Sequence, residues 1–237
     1  DGVRRLFAQG NKYPSTSDPA TSGTYYGLAL GDMSRNNASL NRDGYTDIVA
    51  TSNGVPGGIT IWYYDKPTHS WTIGSIAGLP SSGNYYGLRL ADLNSDGQLD
   101  IVAGSDSGVK VYRWNTGGTA NPADDTFSNV SPANAGSYFD VTVVDLNKDG
   151  KLDITAAKTG GISIWLGDGT GDFSGASEIT LYDYTLRTGG VCMIGVSTGA
   201  SYAGVSVGDI NNDGNPGLVA GNNGGCGVQA WFGDGSG

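Results

Sequence analysis

Four stretches of this chain superimpose on one another, and that repetition limits it to architectures assembled from like units. Tyr26–Asp32, Tyr86–Asp92, Phe139–Asp145 and Ala203–Asp209 each alternate apolar residues with small or polar ones and end on Asp. Period-2 alternation predicts a half-buried strand. A loop rich in Asp, Asn and Gly follows each, then a short strand beginning at Asp47, Asp100, Asp153 or Gly217. A Gly-rich turn leads to a third strand, Gly58–Trp62, Gly108–Tyr112, Gly161–Trp165 or Gly227–Trp231, with the aromatics Trp62, Tyr112, Trp165 and Trp231 in one register. Less regular fourth strands are expected around Trp71–Ile73, Phe127–Val130 and Ile179–Leu181.

The equivalent positions 47, 100, 153 and 217 lie 53, 53 and 64 residues apart. Repeats near that length with four short strands are the signature of propeller blades. One small sheet cannot bury both faces alone, and stacking blades about an axis does so while leaving only short edges. The expected fold is therefore all-β: a single β-propeller domain over 1–237, of four-stranded antiparallel blades, with units near 25–80, 85–135, 138–185 and 202–237. The fourth unit stops after its third strand, and Val3–Gln9 reads as a strand with no unit before it. It is expected to complete the last blade and close the ring.

Composition agrees. Gly supplies 41 of 237 residues, and Glu178 is the only glutamate, so 22 of the 23 acidic residues are Asp, the residue of turns and metal loops rather than helices. The net charge of -10 argues against a nucleic-acid partner, and no apolar run is long enough for a membrane-spanning helix.

The Asp residues have a pattern. Asp92–Asp100 and Asp145–Asp153 both read D-x-N-x-D-G-x-x-D. Oxygen side chains at loop positions 1, 3 and 5, Gly at 6, a carbonyl at 7 and a carboxylate at 9 suit a hard cation with an all-oxygen shell, which points to Ca²⁺ and away from zinc. The loop is not an EF-hand, since strands flank it and position 12 is Ala103 or Ala156. Candidate ligands are Asp92, Asn94, Asp96, Gln98 and Asp100, and Asp145, Asn147, Asp149, Lys151 and Asp153. In unit one Asp32 is split from Asn41, Asp43, Tyr45 and Asp47 by an insertion, Met33–Ser39, which has to bulge outward for the ligands to converge. Unit four keeps Asp209, Asn211, Asp213 and Asn215, but Gly217 replaces the last Asp, so weaker binding is expected there. Three to four Ca²⁺ ions are expected, and four would offset +8 of the -10.

With these loops, the D-I-V-A strands and the G-I-x-I-W strands, the chain resembles the FG-GAP/VCBS repeat family, whose blades occur in integrin α-chains, propeller lectins and secreted microbial proteins. The resemblance implies Ca²⁺-holding blades, usually seven to a ring, where this chain has four units.

Cys192 lies in the stretch that lengthens the last spacing, and Cys226 in the turn before the final strand; a disulfide between them would staple that insertion to the fourth blade. Asn37 and Asn129 head Asn-x-Ser sequons. With the Asp-rich loops they lean towards an extracellular or cell-surface location. The once-per-unit aromatics are expected to pack between blades, whereas Tyr63, Tyr64 and Trp114 at strand ends are candidates for exposure. No nucleophile elbow or phosphate loop is present, and the lone His69 sits on a variable stretch. The expected role is recognition or adhesion, with a glycan or protein ligand and without catalysis. The alternatives are a self-assembling surface-layer or filament subunit and, more remotely, a Ca²⁺-dependent polysaccharide lyase.

Overall fold

Alternating strands and Gly-rich turns fold into separate antiparallel meanders. The computed structural model describes residues 23–33, 43–54, 57–74, 76–118, 124–182, 185–188, 191–194, 201–223 and 227–235. Blade 1 runs β1 (Thr24–Gly31), β2 (Asp47–Asn53), β3 (Gly58–Asp65) and β4 (Ser70–Ile73), each hydrogen-bonded to the next. Blade 2 repeats the order with β5 (Tyr85–Ala91), β6 (Asp100–Ser105), β7 (Gly108–Asn115) and β8 (Thr126–Asn129). Blade 3 does so with β9 (Tyr138–Val144), β10 (Asp153–Lys158), β11 (Gly161–Trp165) and β12 (Ile179–Tyr182).

The lengthened spacing before unit four contains a hairpin, β13 (Thr185–Thr188) paired with β14 (Val191–Ile194). Blade 4 has three described strands, β15 (Tyr202–Gly208), β16 (Gly217–Asn222) and β17 (Gly227–Trp231). The strand expected at Val3–Gln9 lies outside the described residues, as do Asn37, Asn41 and Cys226. The side chain of Cys192 does too, so the disulfide reading itself lies outside the described residues.

Each pair of successive blades shares one apolar cluster. Ile59 and Ile61 of blade 1 meet Leu88, Ile101 and Trp114 of blade 2. Val109 and Val111 of blade 2 meet Val141, Ile154 and Trp165 of blade 3. Ala157 and Ile162 of blade 3 meet Val205, Leu218 and Ala220 of blade 4. The described core is thus a series of seams, and blades 2 and 3 each have a leading face towards the blade before and a trailing face towards the blade after.

The tyrosine that opens each unit packs on the recurrent aromatic of the third strand. Tyr25 meets Trp62 at 5.5 Å between ring centroids, Tyr138 meets Trp165 at 5.7 Å, and Tyr202 meets Trp231 at 6.0 Å. In blade 2 the pair is joined by a 2.9 Å hydrogen bond between the Tyr85 and Tyr112 hydroxyls. The exposure expected of Trp114 is not found: it is buried, because its strand position lies on the leading face against blade 1.

Candidate metal centre

An Asp-rich loop follows the first strand of each blade, and those of blades 2, 3 and 4 fold alike. In blade 2, Asp96 N–H donates to Asp92 Oδ1 at 3.0 Å and Gly97 N–H to Asp92 Oδ2 at 2.8 Å. Asp149 and Gly150 donate to Asp145 in the same way, at 3.1 and 2.9 Å, and Asp213 and Gly214 to Asp209, at 3.1 and 2.8 Å. The fifth-position Asp then accepts from the amide of position 7, Gln98 at 2.8 Å, Lys151 at 2.9 Å and Asn215 at 2.7 Å.

In blade 1 two of these bonds recur among the described residues on either side of the insertion. Gly44 N–H donates to Asp32 Oδ2 at 2.7 Å and Tyr45 N–H to Asp43 Oδ1 at 2.8 Å. Gly44, Gly97, Gly150 and Gly214 have φ of 86, 86, 83 and 84°, a left-handed conformation that disfavours any side chain. Ser95, Lys148 and Asn212, at loop position 4, are also left-handed, with φ of 58, 60 and 59°. That second left-handed position carries no glycine, so pattern reading missed it.

The ninth-position carboxylate has a further role that the loop pattern did not announce. Asp47, Asp100 and Asp153 are fully buried. Each accepts one amide from loop position 2 and one from the third strand or, in blade 3, from Gly167 just past its end. Leu93 and Trp114 donate to Asp100 at 3.0 and 2.8 Å, Met33 and Tyr64 to Asp47 at 2.7 and 2.9 Å, and Leu146 and Gly167 to Asp153 at 2.8 Å each. The residue therefore ties the loop to the blade. Burial pushes the Asp100 carboxyl up to about 6 against those two amides, and the charges of Asp96 and Asp92 push the same way. Asp153 is raised for the same reasons.

In blade 4 this tie is replaced. A side chain at Gly217 would meet Ile210 Cδ1 and the Trp231 carbonyl, both 2.8 Å from an added Cβ. The space that an Asp occupies elsewhere is filled by Ile210.

Among the described residues no three acidic, His or Cys side chains converge as a ready-made metal cluster. The loop carboxylates are turned onto the loop's own amides. Their chemistry nevertheless fits a hard cation. Positions 1, 3, 5 and 9 offer oxygen alone, and a carboxylate oxygen that accepts one amide keeps a second lone pair. Blade 2 gathers three carboxylates in nine residues with no cationic side chain in the loop, while in blade 3 Lys151 Nζ lies 3.7 Å from Asp149 Oδ2.

A profile of the FG-GAP-like repeat matches residues 40–103, 92–156 and 145–220, most of the chain. This chain belongs to the FG-GAP-like repeat family. Its blades follow the period of those matches, with consecutive matches sharing one Asp-rich loop, Asp92–Asp100 and then Asp145–Asp153. No curated protein matches the sequence. Among solved structures, the FG-GAP-like chain is similar to a lectin of Agrocybe aegerita described for specific recognition of non-reducing terminal N-acetylglucosamine. The identity is 19%, the TM-score 0.49, and the match covers 89% of this chain and 53% of the lectin chain. It is also similar to part of the Photorhabdus luminescens Tc holotoxin pore, at 14% identity and TM-score 0.38, over 79% of this chain and 8% of that one. This chain thus spans about half the length of the lectin chain it matches.

Proposed function

We propose that this protein is an extracellular recognition module whose blades are rigidified by Ca²⁺ in the loops Asp32–Asp47, Asp92–Asp100, Asp145–Asp153 and, more weakly, Asp209–Gly217. The observation that carries the reading is one hydrogen bond common to the four loops. The first Asp of each accepts the amide of the loop glycine, even where blade 1 has an insertion to span. Bound Ca²⁺ supplies positive charge to a site otherwise crowded with carboxylates. Asp92, Asn94, Asp96 and Asp100, and their counterparts, are the side chains that would hold it, with the position-7 carbonyls.

Extracellular modules work at Ca²⁺ affinities of about 10⁻⁴–10⁻³ M. The sequon residue Asn129 is exposed at the end of β8, in keeping with a secreted chain. The role is binding without catalysis. The titratable side chains of the loops are occupied by backbone amides, which leaves a stiff display surface as the product of the fold. Glycan is the favoured ligand class.

The test is direct. Chelator-stripped protein titrated with Ca²⁺ by calorimetry should bind three to four ions, and a glycan array in millimolar Ca²⁺ should show selective binding. Calorimetric silence refutes the calcium reading. Array silence together with Ca²⁺-driven self-assembly favours a structural subunit, and turnover of a pectin-like polymer overturns both.

A further inference from the structure

The first strand of each of the four blades carries the same irregularity near its start. Tyr25 pairs with Ser52 and Gly27 with Thr51, so Tyr26 is an extra residue between them. Tyr138 and Asp140 pair with Lys158 and Ala157 and leave out Phe139, and Tyr202 and Gly204 pair with Asn222 and Gly221 and leave out Ala203. In blade 2 the pairing passes from Tyr85 with Ser105 to Leu88 with Ala103, past Tyr86. Each is a β-bulge, which re-aims a side chain and is over-represented beside functional sites.

The bulge gives two neighbouring residues different tasks. The residue before it, Tyr85, Tyr138 or Tyr202, is buried and meets the recurrent aromatic of the third strand. The bulged residue is turned out. Tyr26 is 54% exposed, Tyr86 and Phe139 are half-buried, and Ala203 is exposed. The strands β1, β5 and β9 stand side by side, so the turned-out rings meet. Tyr26 lies 5.8 Å from Tyr86 and Tyr86 5.6 Å from Phe139, between ring centroids. Ala203 shows that the bulge forms without an aromatic, so the rings are not a requirement of the fold. Blades 2 and 3 each have a described blade on both sides, and the placement of Tyr86 and Phe139 is set there.

A fixed polar rim borders these rings. The Tyr86 hydroxyl donates to Asp106 Oδ1 at 2.6 Å and also bonds Asn53 of blade 1. Asn84 Nδ2 donates to Asp106 Oδ2 at 2.5 Å, while Asn84 Oδ1 accepts the Gly54 amide of blade 1 at 3.0 Å. Ser137, at the entry to blade 3, bonds Asp106 as well. The bonds from Tyr86 and Asn84 hold the exposed Asp106 carboxyl below its ordinary value. An ionised carboxylate has about four acceptor sites, so Asp106 keeps one for a ligand after three neutral donors.

We propose that Tyr26, Tyr86 and Phe139, rimmed by Asn84 and Asp106, bind a neutral oligosaccharide. The inference rests on the recognition reading above. Sugar-ring C–H faces lie on the aromatics, and sugar hydroxyls bond the rim. Aromatic surface with a few fixed polar groups is the make-up of a ligand site. Asp106 is already bonded by hydroxyl and amide donors, and a sugar offers donors of the same kind. The net charge of -10 disfavours a polyanion. The aromatics span three blades, so the ligand is a chain of several sugar rings. The bulges lie at the start of the first strands and the Asp-rich loops follow their ends, which puts glycan and Ca²⁺ at opposite ends of the blades.

The test is titration calorimetry in millimolar Ca²⁺ with cello-, chito-, malto- and manno-oligosaccharides of one to six rings, together with any glycan selected on an array. Affinity should rise with the number of rings. Tyr86→Ala and Phe139→Ala should each weaken binding about tenfold, with an unchanged circular dichroism spectrum. Phe139 takes no part in the rim network, so its variant stands even if Tyr86→Ala misfolds. Ala203→Tyr should extend the aromatic row to blade 4 and strengthen binding of the longest oligomers. A glycan bound equally by wild type and both alanine variants overturns this site and leaves the recognition reading standing. Silence of every oligosaccharide and of the array overturns both. Binding of hexalysine that is lost in Tyr86→Ala makes the rings a cation site and overturns the proposal.

Discussion

The Trp114 amide donates to Asp100 Oδ1 at 2.8 Å, and through this bond the third strand of blade 2 holds the last residue of the Asp-rich loop. The other oxygen of the same buried carboxylate holds Leu93 at the start of that loop. One side chain therefore fixes both the entry to the loop and its distance from the sheet. Asp47 and Asp153 repeat the arrangement in blades 1 and 3.

Removing that acceptor leaves two buried amides without partners. Asp100→Ala should destabilise the protein by about 2–6 kcal/mol, at roughly 1–3 kcal/mol for each orphaned donor. Asp100→Asn keeps one acceptor oxygen and should lose less. Urea denaturation in chelator separates this effect from metal binding; equal stability of Asp100→Ala and wild type there would refute the tie.

Metal removal should lower the melting temperature, and added Ca²⁺ should restore it. A ligand at about one hundred times its dissociation constant stabilises the folded state by about 2.7 kcal/mol per site when it binds only that state. Asp92→Ala and Asp145→Ala should each abolish part of the Ca²⁺-dependent shift seen by differential scanning calorimetry. Asp209→Ala should change it least, since its loop lacks the ninth carboxylate.

Acid should loosen blade 3 through Glu178. Its Oε1 accepts hydrogen bonds from Tyr138 at 3.3 Å and Thr180 at 3.1 Å, and it also accepts from Ser163 and pairs with Lys158. Burial alone would raise this carboxyl, but the bonds from Lys158 and Ser163 and the Lys158 charge outweigh it and hold the group below its ordinary 4.5. A depressed folded value means that the contribution is fully present above about pH 4.5 and is lost as pH falls through the folded value. Glu178→Gln should flatten that acid limb in chelator and cost about 1–3 kcal/mol at neutral pH. An unaltered pH profile would show that the cluster contributes nothing.

Close approach at the seam between blades 2 and 3 depends on Gly104. A Cβ there would lie 2.4 Å from the Tyr138 carbonyl oxygen. Backbone cannot swing aside as a flexible side chain can, so Gly104→Ala should cost about 1–3 kcal/mol by overpacking. Thermal melts of the two proteins side by side decide it.

Much of this molecule was readable along the chain. Strand period, the recurrent Trp62, Tyr112, Trp165 and Trp231, and the D-x-N-x-D-G-x-x-D loops are local signals, and each appears in the place and register expected. Local signals survive because strand alternation and left-handed glycine turns are imposed within a few residues by backbone sterics. They also held across the blade 1 insertion, where Asp32 still meets Gly44.

Other features depend on which blade stands beside which. Asp100 looks like one more loop oxygen until Trp114, fourteen residues on, is seen to donate to it. Trp114 and Tyr64 occupy one strand position, yet the first is buried in a seam and the second lines an open cleft. The same holds for Leu88 and Leu28, which are alike in sequence and opposite in exposure. Repetition along the chain establishes that every blade carries two apolar faces. Burial of a face requires a neighbour in space, and hydrophobic stabilisation arises only from area that is actually removed from water.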